Sequence, residues 1–134
     1  MRRRRFVSDL SQLFKALSEG FRLQVLAMMH RYGELCVCEV ERFLDVSQST
    51  ASRHLRYLAA AGWVESRRED QWVYYGIAEP RDDEHRLLLE TLRTLLEGFE
   101  VPPVGAELQR MREARCHSPL GCAEPTHDEV EVGR

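Results

Sequence analysis

The chain has 134 residues, a length that suits one domain, and 43% of them are apolar, enough for a compact core. No run of 18 or more apolar residues occurs and no apolar stretch follows the basic start Met1-Arg2-Arg3-Arg4-Arg5, which argues against a membrane span or a secretion signal and points to the cytoplasm. The net charge of −3 is unevenly spread: the first 78 residues carry 12 Lys and Arg against 9 Asp and Glu, the rest 7 against 13, so a mildly basic body precedes an acidic end.

From Ser8 the pattern is helical, with Leu10, Leu13, Phe14 and Leu17 on one face. Ser18-Glu19-Gly20 breaks it. A second helix is expected from about Phe21 to Tyr32, burying Leu23, Val25, Leu26 and Met29, and Gly33 ends it. A short third helix follows, about Cys36 to Leu44, then a turn at Asp45-Val46-Ser47. Ser47 is a natural N-cap for a fourth helix, about Gln48 to Ala60, with Ala51, Leu55 and Leu58 inward and Gly62 as its stop. Trp63 to Arg68 and Trp72 to Ile77 read as two strands joined at Glu69-Asp70-Gln71. A last long helix runs from about Asp82 to Phe99, with Leu87, Leu88, Leu92, Leu95, Leu96 and Phe99 apolar. Pro102-Pro103 closes the folded part, although Ala106 to Arg115 could form one more short amphipathic helix.

Helix, short helix, turn, helix, hairpin is the order of a winged helix-turn-helix, mainly α with a two-stranded β wing. The expected organisation is a basic arm over 1–7, a DNA-binding and dimerisation domain over 8–101, and a mobile tail over 102–134 holding two cysteines. One such unit reads a half-site, so the expected partners are a second copy of the chain and a roughly palindromic duplex operator.

The fourth helix offers Gln48, Ser49, Thr50, Ser52, Arg53 and Arg56 on its exposed face. Small hydrogen-bonding side chains crowd its first turn, where base edges and phosphates are reached, and the two arginines are long enough for guanine or phosphate. Arg67, Arg68 and Gln71 would place the wing along the flanking backbone or minor groove. Trp63, Trp72 and Tyr74 or Tyr75 read as core of the wing, and His54 as a packed or capping side chain. Arg2 to Arg5 could track phosphates or simply be a disordered start.

Four cysteines, Cys36, Cys38, Cys116 and Cys122, are too few for a disulfide scaffold and are expected as thiols. Cys36 and Cys38 suit a soft, thiophilic ion, and a helix N-terminus favours the thiolate. Positions i and i+2 of a regular helix do not face each other, so one ion could take both sulfurs only if the first turn of the third helix were distorted. Two small buried apolar residues would fit the same positions.

These residues resemble the ArsR/SmtB repressors. Glu34-Leu35-Cys36-Val37-Cys38-Glu39-Val40 is similar to their metal box, especially in the arsenic- and cadmium-responsive branches. Leu17 to Arg22 resembles their helix junction, Ser47 to Leu55 their recognition helix, and Gln71 to Tyr75 their wing strand. The resemblance covers about residues 8–99. It implies a dimeric repressor, paired through the first and last helices, that leaves its operator when a toxic metal or metalloid binds. The chain departs from the pattern too. Glu41 stands where the arsenic branch often has a third cysteine, and residues 1–35 hold none of the cysteines of the cadmium branch. Asp83 and His85 match half of a zinc site whose other half is replaced by Leu96 and Phe99, so both are expected as solvated surface residues.

The leading expectation is a repressor released by arsenite or antimonite. Alternatives are cadmium, lead or mercury as inducer, or a switch by oxidation or persulfidation of the thiols. Without a C-x-x-C, a phosphate loop or a βαβ unit, the chain does not read as an enzyme, and no organic cofactor is expected. Trivalent arsenic prefers three sulfurs, and Cys36 and Cys38 supply two. A small thiol such as glutathione could add the third. So could Cys116, 17 residues beyond Phe99, or Cys122, from the same or the partner subunit.

Overall fold

A computed structural model describes residues 7–117, with side chains as far as 114. The elements in order are α1 (Val7–Ala16), α2 (Gly20–Tyr32), β1 (Leu35–Cys36), α3 (Val37–Leu44), α4 (Gln48–Ala61), β2 (Val64–Glu69), β3 (Trp72–Ile77), α5 (Asp83–Leu96) and α6 (Gly105–His117). The core lies where α2, α4 and the inner side of the sheet meet. Val25, Leu26, Met28, Leu55, Leu58 and Trp63 are almost wholly shielded from solvent there. Trp63 also donates its indole N–H to the Leu13 carbonyl at 2.7 Å, which ties α1 to the base of the wing. Trp72 is likewise buried, as expected of wing-core aromatics.

The helix boundaries follow local chemistry. Ser47 caps α4, its hydroxyl accepting the Thr50 N–H at 3.2 Å. Gly62, at φ 102°, ends α4 in a left-handed conformation that side chains disfavour. Asp45 fills the same role after α3, at φ 57°.

The wing is a mainly two-stranded hairpin with an addition. The sheet order is β1-β3-β2, all antiparallel, and β1 pairs Leu35 with Tyr75 and Cys36 with Tyr74. Two residues are too few to show an alternating pattern, so this strand left no signal in the sequence.

Two expectations are corrected. His85 is not a solvated surface residue but wholly buried. Its Nδ1 accepts the Arg81 N–H at 2.9 Å, which leaves Nε2 to donate to the Gly62 carbonyl at 3.0 Å, so it latches the start of α5 to the end of α4. Asp83 is exposed, as expected. Nor does packing stop at residue 102. Tyr32 donates to the Pro102 carbonyl at 2.6 Å and accepts from Val104 N–H at 3.3 Å, and Leu108 of α6 is buried. Arg2 to Arg5 and Cys122 lie outside the described residues, and so does the side chain of Cys116.

Candidate functional site

The cysteine turn is built by a capping box. Cys36 has an extended backbone, φ −95° and ψ 169°, and is the N-cap of α3, not its first helical residue. The Glu39 carboxylate accepts the Cys36 N–H at 3.0 Å. Because Cys36 stands outside the helix, its sulfur folds back over the first turn and comes within 3.0 Å of the Cys38 sulfur. The two are thiols and not a disulfide. The expectation that one ion could take both sulfurs only if the first turn were distorted or unwound is therefore overturned: the N-cap geometry already brings the sulfurs together. Two sulfurs bonded to one ion at about 2.3 Å would stand about 3.3–3.8 Å apart, so the pair needs only a small opening. Among the described residues, no group of three or more His, Cys, Asp and Glu side chains is arranged to hold an ion.

Glu39 is fully buried, a position the sequence reading passed over. The spacing Cys36-x-x-Glu39, in the manner of Ser-x-x-Glu, was the signal that could have found it. Its second oxygen faces Arg112 of α6 at 3.5 Å, and Arg112 also donates to the Glu34 carbonyl. Arg42 and Glu107 form a second ion pair between α3 and α6.

The residues expected to read base edges fall on one helix, α4. Ser49, Arg53 and Arg56 of α4 are exposed, and Gln48, Thr50 and Ser52 are half-buried. Thr50 is partly committed, since its hydroxyl accepts from Ser47 at 3.0 Å. On the wing, Arg68 and Gln71 are exposed. Arg67 is engaged with both oxygens of Glu34 and with Glu69 at 2.7–3.0 Å, and lies 4.9 Å from the Tyr74 ring. Those two carboxylates raise its already high pKa. Glu34 reaches Arg67 across Gly76, where a methyl group would meet the Glu34 chain at 2.9 Å.

Behind α4, Arg22 is another buried charge that sequence reasoning missed. It donates to the Ala16 carbonyl at 2.7 Å, meets His54 Nδ1 at 3.2 Å and lies over the Tyr57 ring. It thus joins the end of α1 to the inner face of α4. His54 is a packed side chain, as expected, and burial lowers its pKa.

Comparison with known proteins gives a consistent picture. Residues 21–66 match the model of bacterial regulatory proteins described as the arsR family. The chain is 39% identical over 98 residues to a cadmium resistance transcriptional regulatory protein CadC homolog from Staphylococcus aureus, covering 72% of this chain and 76% of that one. It is 35% identical over 117 residues to the arsenic resistance transcriptional regulator ArsR1 of Pseudomonas putida, covering 83% and 85%. Among solved structures, HlyU from Vibrio cholerae is similar at 35% identity and a TM-score of 0.53, over 66% of this chain and 91% of that one. The homodimeric winged helix-turn-helix DNA-binding domain of a possible ArsR-family regulator from Mycobacterium bovis is similar at 28% identity and a TM-score of 0.56, over 75% and 94%.

Proposed function

The chain belongs to the arsR family of bacterial regulatory proteins, and from that premise we propose that it is an operator-bound repressor released when trivalent arsenic or antimony binds the Cys36 and Cys38 thiolates. The observation that carries this reading is the 3.0 Å approach of the two sulfurs at the N-cap of α3. Soft sulfur donors select soft ions, and the start of a helix favours their thiolate form.

The same turn supplies the coupling. Cys36 is at once a sulfur donor, the N-cap of α3 and a partner of Tyr74 in the wing sheet. Opening the sulfur pair shifts a residue that both the wing strand and the helix packed on α4 depend on. Glu34, two residues before it in the chain, holds Arg67 of the wing. DNA is met by Gln48, Ser49, Thr50, Ser52, Arg53 and Arg56 in the major groove and by Arg68 and Gln71 on the wing. The working form is a homodimer in which Phe14, Leu87, Leu95 and Phe99 meet their copies.

A second reading, cadmium or another thiophilic divalent ion as inducer, is favoured by the likeness to the CadC homolog. The test is a titration of the operator complex with arsenite, antimonite, cadmium, lead, zinc and peroxide in parallel. Arsenite and antimonite are expected to release the DNA at the lowest concentrations. Cys36→Ser and Cys38→Ser are each expected to bind the operator as the parent does and to stay bound. Release of either variant at the parent's arsenite concentration removes the pair from the sensor.

A further inference from the structure

Trivalent arsenic prefers three sulfurs, and Cys36 and Cys38 supply two. Two ion pairs join α6 to α3 and set the direction of one helix against the other. Arg42, late in α3, meets Glu107, early in α6; Glu39, in the first turn of α3, meets Arg112. The helices are therefore antiparallel. One further turn of α6, about 6 Å along its axis, leads from Arg112 to Cys116. The same step back along α3 leads from Glu39 to its N-terminal end, where Cys36 caps the helix and Cys38 stands in the first turn. Residues four apart share a helix face, so Cys116 is on the face of α6 that carries Arg112. Arg112 itself holds the Glu34 carbonyl, two residues before Cys36.

Resting on the reading of Cys36 and Cys38 as the inducer site, we propose that Cys116 of the same subunit is the third sulfur ligand. The sequence alone sets Cys116 only slightly ahead of Cys122 and leaves the partner subunit and small thiols open. What favours Cys116 is that it follows Arg112 by one turn of α6, and Arg112 reaches Glu39 and the Glu34 carbonyl beside the cysteine pair. In forming the site each thiol replaces one hydroxyl of arsenous acid. An arsenic–sulfur bond forms, an arsenic–oxygen bond breaks, and the thiol proton leaves with the hydroxyl as water. Three exchanges release three waters, and arsenic stays trivalent.

The experiment is to titrate arsenite, without glutathione or other small thiols, into the full-length dimer and its Cys116→Ser and Cys122→Ser variants, and to count sulfurs around arsenic by X-ray absorption. Three are expected in the parent and in Cys122→Ser, and two in Cys116→Ser. Unaltered operator binding by Cys116→Ser shows that it is folded. Three sulfurs retained in Cys116→Ser would overturn the proposal. Mixed dimers of a Cys36→Ser/Cys38→Ser subunit with a Cys116→Ser subunit are expected to hold no three-sulfur arsenic; finding it would overturn delivery within one subunit. The Cys36→Ser/Cys38→Ser homodimer separates the two readings. If it still binds arsenite as the parent does, the pair is not the site. If it loses arsenite while Cys116→Ser matches the parent, only the third ligand is wrong.

Discussion

Arg67 and Arg68 are neighbours on β2, both exposed and both basic, yet their surroundings give them different work. Arg67 is bound to Glu34 and Glu69, while Arg68 carries no hydrogen bond or ion pair among the described residues. A guanidinium already neutralised by two carboxylates displaces few counterions from DNA. Arg68→Ala is therefore expected to lower the slope of log affinity against log salt by about 1, and Arg67→Ala to leave it nearly unchanged while altering inducer release. Binding isotherms at several salt concentrations check this, and equal slope changes would refute it. His54 gives a pH signature. Burial, reinforced by Arg22 and Arg53 and opposed by Glu19, lowers its pKa from the ordinary 6.5. The unfolded chain thus takes up the proton first. The stability that His54 contributes is fully present above about pH 6.5 and is lost as pH falls through the lower folded value. His54→Gln is expected to flatten that part of the melting-temperature profile. The helix that carries the proposed DNA contacts was legible in the sequence because one N-cap and one helical period place it. Arg22 and His85 were not, because a buried polar side chain is recognised by its partners, and His54 and Gly62 come from distant parts of the chain.

At the scale of elements, caps and long-range ion pairs set the stability of the two helices that matter most. Ser47→Ala removes the acceptor for Thr50 N–H and is expected to cost about 0.5–2 kcal/mol in urea unfolding. Arg112→Ala leaves the fully buried Glu39 carboxylate without its cation and is expected to cost about 1.5–3 kcal/mol. If α6 were only a passive end, that substitution would change stability by no more than an ordinary surface replacement. The α-helical elements were legible to within a few residues because their apolar periods are long. The role of α6 was not, since its docking rests on single contacts, Leu108 in the core and two ion pairs, with no continuous apolar stripe.

At the scale of the molecule, large apolar side chains remain in solvent on two helices and just beyond one of them. Val7, Leu10 and Phe14 on α1, Leu87 and Leu95 on α5, and Phe99 after it are 38–86% exposed. Such a set marks an interaction surface. Leu95→Lys or Phe14→Lys is expected to shift the protein from dimer to monomer in sedimentation and to weaken binding to a palindromic operator far more than to one half-site. A variant that stays dimeric would place the interface elsewhere. Apart from Val7, these were foreseen as apolar positions, but the sequence could not sort them. On α5 the leucines divide between the core, at Leu89, Leu92 and Leu96, and solvent, at Leu87 and Leu95. Only the direction in which the helix packs decides which is which.

The two sulfurs differ in how readily they are reached. Cys36 is 2% exposed beneath the wing strand, whereas Cys38 is only half-buried at the start of α3. On the proposed reading, an inducer arriving from solvent meets Cys38 first and Cys36 second. Capture then has an order in time: a fast bimolecular encounter at the outer thiol, followed by a slower unimolecular closure onto the inner one. In stopped-flow mixing, Cys36→Ser should retain the concentration-dependent phase and lose the slow one, while Cys38→Ser should lose both. The threshold for induction would then be set by the lifetime of the one-sulfur encounter as well as by the final affinity.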